Sequence, residues 1–224
     1  AHRVKWYRDV FDNSVAVVSF QEAAQRLTIG SEVVIQHYEV APLDFIVEDY
    51  AVHYPFEYHQ EERVDLAPFQ QAVYAGQQPA VRDWFNSLDL LRDRMETYVL
   101  LDRLNRIIAK EFKYVVREEP GVQPPERTLT LRSGSCRDYA TLFIETCRFL
   151  GLASRFVSGY SHVPELGTSG ATTHAWAEVY LPGPGWKGFD PTAGELTGSR
   201  HIPVAVARHP EAVPPVAGSF VGPK

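Results

Sequence analysis

Apolar and polar residues alternate in short runs through the first part of the chain and recur at helical spacing after it. Asp12-Asn13 is a turn signal, and the run Ser14-Val15-Ala16-Val17-Val18-Ser19-Phe20 behind it predicts a strand. Ala1 to Trp6 reads as the approach to another. Leu27 to Ile29 and Val33 to Val40 predict two more, the second setting Ile35, His37 and Glu39 against Val34, Gln36 and Tyr38. Tyr50 to Tyr58 is aromatic but carries Pro55, which fits an edge strand or a loop. Short strands with short connections predict an antiparallel sheet or small sandwich, a β-rich N-terminal region over residues 1–75.

The pattern changes after Gly76-Gln77-Gln78-Pro79, and residues 76–224 read as a second unit. Ala80 to Leu91 predicts a helix. Glu96 to Phe112 predicts a strongly amphipathic one, with Leu100, Leu101, Leu104, Ile107 and Ile108 on one face. Residues 117 to 127 read as a polar loop with Pro120, Gly121, Pro124 and Pro125. A central helix follows over about Cys136 to Leu150, opened by a Ser135-x-x-Asp138 capping pattern and stopped by Gly151. Cys136, Ala140, Phe143, Cys147 and Leu150 form a single buried stripe on it. Three strands are predicted next, at about Ala153 to Tyr160, Thr173 to Leu181 and Trp186 to Asp190. The tight Pro182-Gly183-Pro184-Gly185 link makes the last two antiparallel neighbours, and Ser161 to Thr172 reads as a glycine-rich loop. From Ile202 onward the pattern is weak, with one or two edge strands expected.

Composition narrows the class of protein. Of the 224 residues 45% are hydrophobic and 22% charged, an ordinary globular balance that excludes disorder. With 22 basic and 28 acidic residues the net charge is -6, and no basic stripe offers nucleic acid a surface. No apolar run approaches the roughly 20 residues that span a bilayer, so no membrane partner is expected. The chain does not begin with Met, which fits a fragment of a longer protein and makes the lack of a signal peptide weak evidence. Cys136 and Cys147 lie eleven residues apart on one predicted helix, about 16 Å along its axis. A disulfide needs Cα atoms within about 7 Å, so both thiols are expected to be free, as in a reducing, cytoplasmic compartment.

Three residues then carry the candidate chemistry. Cys136 stands in the first turn of a helix, where partial positive charge and unpaired N–H groups favour a thiolate and an oxyanion. His174 lies on a later strand and suits a general base toward the thiol. Asp190 ends the neighbouring strand, placed to orient the imidazole. Each alone reads more simply as a packed cysteine, a satisfied histidine or a turn aspartate; the ordered set at element ends argues for a nucleophile with its base and orienter. Cys147 reads as packing. Trp176 and Ser135, beside the base and the nucleophile, are the candidates for touching substrate, although Trp176 and Trp186 also read as cleft-wall or core aromatics. Glu178 reads as a surface or ion-paired residue. No paired Cys or His spacing of a zinc site occurs, so neither metal nor cofactor is expected, and His2, His37, His53, His59, His162, His201 and His209 read as scattered.

The runs Gly134-Ser135-Cys136-Arg137-Asp138, His174-Ala175-Trp176-Ala177-Glu178-Val179-Tyr180 and Gly185-Trp186-Lys187-Gly188-Phe189-Asp190-Pro191-Thr192 resemble the bacterial branch of the transglutaminase-like superfamily, over about residues 96 to 200. Asp9-Val10-Phe11-Asp12-Asn13-Ser14-Val15 resembles the region that precedes this core in bacterial members. The resemblance implies an α+β, papain-like core in which a helix bearing the nucleophile packs on an antiparallel sheet. It assigns Cys136 as nucleophile, His174 as base and Asp190 as orienter, and it implies acyl transfer through a thioester on a protein or peptide substrate. A cysteine peptidase is the favoured expectation; an amine-accepting transglutaminase, a deamidase and a non-catalytic binding scaffold are the alternatives. Arg137 follows Cys136 where animal transglutaminases have Trp, and no calcium loop is visible, which argues against calcium-dependent cross-linking.

Overall fold

The computed structural model describes residues 2–219 and 221, apart from 24, 31, 33, 37–43 and 163–170. The fold is α+β. The centre of the molecule is helix α5 (Cys136–Phe149), which the sequence stripe and its caps predict almost to the residue. Every residue from Asp138 to Arg148 is buried, so this helix is enclosed on all sides and not merely laid on a surface. The helix stops before Gly151, whose φ is +77°.

A five-stranded antiparallel sheet covers one side of α5, in the order β10 (Glu195–Leu196), β9 (Gly185–Asp190), β8 (Ala171–Leu181), β7 (Ser154–His162), β11 (His201–Ala207). Alternation along β8 turns Ala175, Ala177, Val179 and Leu181 toward the core, all at most 5% exposed. Two alanines in that row give α5 a flat seat, and Phe143 stacks on Phe189 of β9 at 5.5 Å. Pro203 sits where the β11–β7 register shifts, on an edge strand that tolerates its missing N–H.

The sheet also curls. Strands β10 and β11 are its two opposite edges, and only residues 197–200 join them. Four strand spacings of about 4.8 Å make roughly 19 Å, more than the roughly 17 Å that such a short link spans when extended. The edges must therefore bend toward each other over the face opposite α5, and the link becomes a roof across it. Thr197 N–H donates to the Gly188 carbonyl at 3.0 Å, and His162 N–H to the Arg200 carbonyl at 2.8 Å. A Cβ at Gly188 would collide with the Thr197 side chain, and one at Gly159 with the Ile202 carbonyl and Trp176. Glycine at these two positions is what lets the roof sit down.

Four more helices enclose the other sides of α5: α1 (Gln60–Gln70), α2 (Gln78–Ser87), α3 (Thr97–Glu111) and α4 (Pro125–Leu131). Helix α3 buries Leu100, Leu101, Leu104 and Ile108, as its periodicity predicts. Buried charge on α5 fixes the surrounding segments. Glu145 accepts from Val73 N–H at 3.1 Å, Tyr74 N–H at 3.2 Å and Gln78 Nε2 at 3.2 Å, and pairs with Arg148 at 2.7 Å. Arg148 donates onward to the carbonyls of Phe69, Ser154 and Arg208. Both buried charges, Glu145 and Arg148, are thereby partnered.

The N-terminal β1 (His2–Arg8) and β2 (Ser14–Phe20) form a hairpin in the register Arg8↔Ser14. Its connecting turn is the piece that meets the core. Asp9 Oδ1 accepts from the N–H groups of Phe11 and Asn13, both at 2.9 Å. Asn13 then pairs with the free edge of β11 as a peptide group would: Nδ2 donates to the Val206 carbonyl at 2.7 Å, and Val206 N–H donates to Oδ1 at 2.9 Å. Phe11 packs against Phe69. Residues 27–29 and 34–36, expected as strands, pair with no strand among the described residues; Leu27 is 59% and Val34 95% exposed. The rest of the expected 33–40 strand, and most of the expected 161–172 loop, lie outside the described residues. Among the described residues no helix is long and apolar enough to cross a membrane.

Candidate active site

Cys136 is the first residue of α5, half-buried, at the place where β6 (Ser133–Gly134) feeds into the helix. One carboxylate holds this junction. Asp138 is fully buried, and its Oδ2 accepts from the Ser135 N–H and the Ser135 hydroxyl, both at 2.8 Å. Its Oδ1 accepts from Gln123 N–H and from Arg117 Nη1, both at 2.7 Å. The capping residue that the sequence shows is thus also the anchor of the 117–123 loop. Arg137 reinforces it by donating to the carbonyls of Arg117 and Glu119.

β5 (Lys113–Tyr114) runs parallel to β6 and sets Tyr114 opposite Gly134. The Tyr114 hydroxyl lies near Cys136; burial, then the charge of Cys136, raise the phenol's pKa. Tyr114 is 48% exposed, so this contact lies at the mouth of the site. Nothing in the sequence pattern singled it out, because a two-residue strand has no periodicity to read.

His174 and Asp190 come from the adjacent strands β8 and β9. His174 Nε2 and Asp190 Oδ2 are 2.7 Å apart. The remaining ring nitrogen, Nδ1, is therefore the one available to Cys136, which lies close enough to raise the imidazole's pKa. Asp190 Oδ1 accepts from Thr192 N–H at 2.9 Å. Burial opposes the charging of His174, but its hydrogen bond to Asp190 and the negative charge of Asp190 and Cys136 prevail, and its pKa is pushed up to about 10. For Asp190 burial works against ionisation, yet hydrogen bonds from His174 and His201 hold its carboxyl well below the usual range. Burial pushes the Cys147 thiol up, which leaves it a core residue.

The structure thus gathers Cys136, His174 and Asp190 in that order. It corrects two other expectations. Trp176 is 1% exposed and Ser135 5%, so neither offers surface to a substrate. Trp176 lies under the roof, edge-on to His201 at 5.2 Å, and the Ser135 hydroxyl is occupied by Asp138. Glu178 is ion-paired with Arg155 at 2.7 Å. His201, which the sequence left among scattered histidines, is in fact a second partner of Asp190, its Nε2 lying 3.1 Å from Oδ2. His174, Asp190 and His201 bring three ligand-type atoms within 4.8 Å of one another, and hydrogen bonds from both histidines to Asp190 Oδ2 join those atoms. A cavity of about 130 Å³ beside the roof is lined by Trp176, Trp186, Thr197 and His201 but by neither Cys136 nor His174, so it is not where the thiol meets a substrate.

Known proteins share this arrangement of elements. Residues 89–191 match the family described as the transglutaminase-like superfamily. Over 148 residues the chain is 36% identical to an uncharacterized protein of Mycobacterium tuberculosis, covering 62% of this chain and 46% of that protein. The chain therefore spans about half the length of such relatives. A 63-residue stretch is 36% identical to the peptide-N(4)-(N-acetyl-beta-glucosaminyl)asparagine amidase of Rattus norvegicus, covering 28% of this chain and 8% of that protein. A solved structure called a "putative cysteine protease" from Cytophaga hutchinsonii shares the fold, with a TM-score of 0.51 at 24% identity over 65% of this chain and 47% of its own. Over residues 89–191, then, the chain is similar to the transglutaminase-like superfamily.

Proposed function

We propose that this chain is a cysteine-nucleophile enzyme that cleaves amide bonds of a protein or peptide through a thioester, with Cys136 as nucleophile, His174 as base and acid, and Asp190 as orienter. One observation carries the reading: the His174 ring lies beside the thiol of a helix N-terminus and is hydrogen-bonded to a buried carboxylate. With its pKa pushed up to about 10, His174 is an imidazolium across neutral pH, a positive charge beside Cys136 that favours attack by the sulfur. The sulfur attacks the amide carbon, and the carbonyl oxygen becomes an oxyanion facing the first-turn N–H groups of α5. His174 gives its proton to the leaving nitrogen as the C–N bond breaks. Water then adds to the thioester, giving one proton to His174 and releasing the acid and the thiolate. The name of the Rattus relative, an amidase, supports the same bond class.

The test is a thiol-directed activity probe followed by peptide-library cleavage, with and without an amine acceptor. Cys136→Ala should abolish both labelling at this site and turnover; full turnover in that variant sinks the mechanism. Hydrolysed product alone, in the presence of amine, supports a hydrolase, whereas amine adducts would replace that part of the reading with a transferase.

A further inference from the structure

We propose that His201 is a positioning residue for the candidate site: a neutral imidazole whose Nε2–H fixes the Asp190 carboxylate so that the same oxygen faces His174. This rests on the catalytic reading above and adds a fourth member to its series.

Gly198 N–H donates to His201 Nδ1 at 3.2 Å. A nitrogen that accepts carries no hydrogen, so the ring's one hydrogen is on Nε2. That nitrogen lies 3.1 Å from Asp190 Oδ2, the oxygen that also takes His174 at 2.7 Å. Asp190 is left with three directed donors, two on Oδ2 and the Thr192 N–H on Oδ1. Three donors fix the plane of a carboxylate; without His201, Thr192 and His174 alone leave it freer to rotate.

The placement of His201 is built for this. It is 6% exposed, on the first residue of β11, and enters from the roof over β8 and β9. Trp176 packs edge-on against its ring at 5.2 Å and also flanks His174, with 6.2 Å between centroids. The roof reaches this depth only because Gly159 and Gly188 give it room. The short link between the sheet edges therefore delivers a hydrogen-bond donor to the back of the site.

Two substitutions separate a donor from a filler. In His201→Gln the amide nitrogen lies three bonds from Cβ, as Nε2 does, so a donor is restored at a similar reach. In His201→Phe the ring shape is kept and the donor lost. The probe is iodoacetamide at pH 6, with alkylation of Cys136 followed by peptide mass spectrometry against each variant's urea-unfolded chain. The Phe variant should react on the order of ten- to a hundredfold more slowly than wild type, and the Gln variant within about threefold of it. A Phe variant as fast as wild type, or a Gln variant as slow as Phe, overturns the role. Wild-type Cys136 reacting no faster than the unfolded thiol would instead sink the catalytic reading itself. Long-range ¹H–¹⁵N spectra of histidine-labelled protein test the premise without any variant. His201 should appear as the Nε2–H tautomer, and an Nδ1–H form or an imidazolium would overturn the proposal.

Discussion

Replacing Asp138 with Ala tests how the candidate nucleophile is held in place. The carboxylate has four donors within 2.8 Å: Ser135 N–H, Ser135 Oγ, Gln123 N–H and Arg117 Nη1. The Ser135 hydroxyl can turn to another acceptor, but two buried backbone N–H groups cannot. Each costs about 1–3 kcal/mol when left without an acceptor. Breaking a buried ion pair costs about 3–5 kcal/mol, but the Arg117 side chain is 16% exposed and has Glu119 at 3.7 Å. We therefore discount that part to about 1 kcal/mol. The sum is roughly 3–7 kcal/mol for Asp138→Ala, and about half for Asp138→Asn, which keeps one acceptor oxygen. Urea unfolding measures the loss, with Glu119→Ala as a control expected within about 0.5 kcal/mol because that side chain is 74% exposed. An Asp138→Ala variant that loses less than about 1 kcal/mol would refute the reasoning.

Gly159→Ala should destabilise by about 2 kcal/mol or more, because its Cβ meets the Ile202 carbonyl and comes within 2.7 Å of Trp176 Cη2; urea unfolding measures it, and a neutral effect would mean that the roof is loosely seated. Asn13→Ala should cost about 1–3 kcal/mol by removing both bonds to β11, and amide exchange at Val206 should accelerate with it. His174 has a folded pKa above its unfolded value, so its stabilisation is complete below pH ~6.5 and fades as pH rises toward about 10. The difference in unfolding free energy between wild type and His174→Ala should shrink over that window; a difference that grows would reverse the assignment. Asp190 has the opposite sign, since its folded pKa is depressed, and the gap between wild type and Asp190→Asn should close as pH falls below ~4.

What the sequence makes legible here is whatever local spacing determines. Helix α5 and its Ser135 start follow from contacts three and four residues apart, and the structure places them as read, although it buries the helix on every side and not along one stripe. The β8–β9 pair follows from alternation and a tight link, which is why His174 and Asp190 could be brought together on paper. The failures are all long-range. Trp176 shares a face with His174, and alternation cannot tell an open face from one roofed by residues 197–203. His201 stands eleven residues beyond Asp190, across a link whose path depends on the curl of the whole sheet. Asp138 announces itself as a capping residue, but its bonds to Arg117 and Gln123 cross a loop with no periodicity. Helix α1 buries only Leu66 among its residues, too little for an apolar stripe, and carries Pro68 besides.

The two halves of the candidate site are supported by different parts of the fold. On the helix side, Asp138 clamps the Cys136 turn to the 117–123 loop. On the sheet side, Asp190 holds His174 and is itself held by a roof that hangs from the sheet's two edges. Asp138 and Asp190 share no hydrogen-bond partner among the described residues, so the distance between thiol and imidazole must be set by something else. The α5–β8 interface fills that role: Ala175 and Ala177 let the helix sit close, and Phe143 stacks on Phe189, the residue before Asp190. Close-packed interiors yield little to strain. A core contact one residue from the carboxylate and seven from the thiol is therefore the stiffest available link between the two halves, and the polar clamps on either side need only fix each group on its own element.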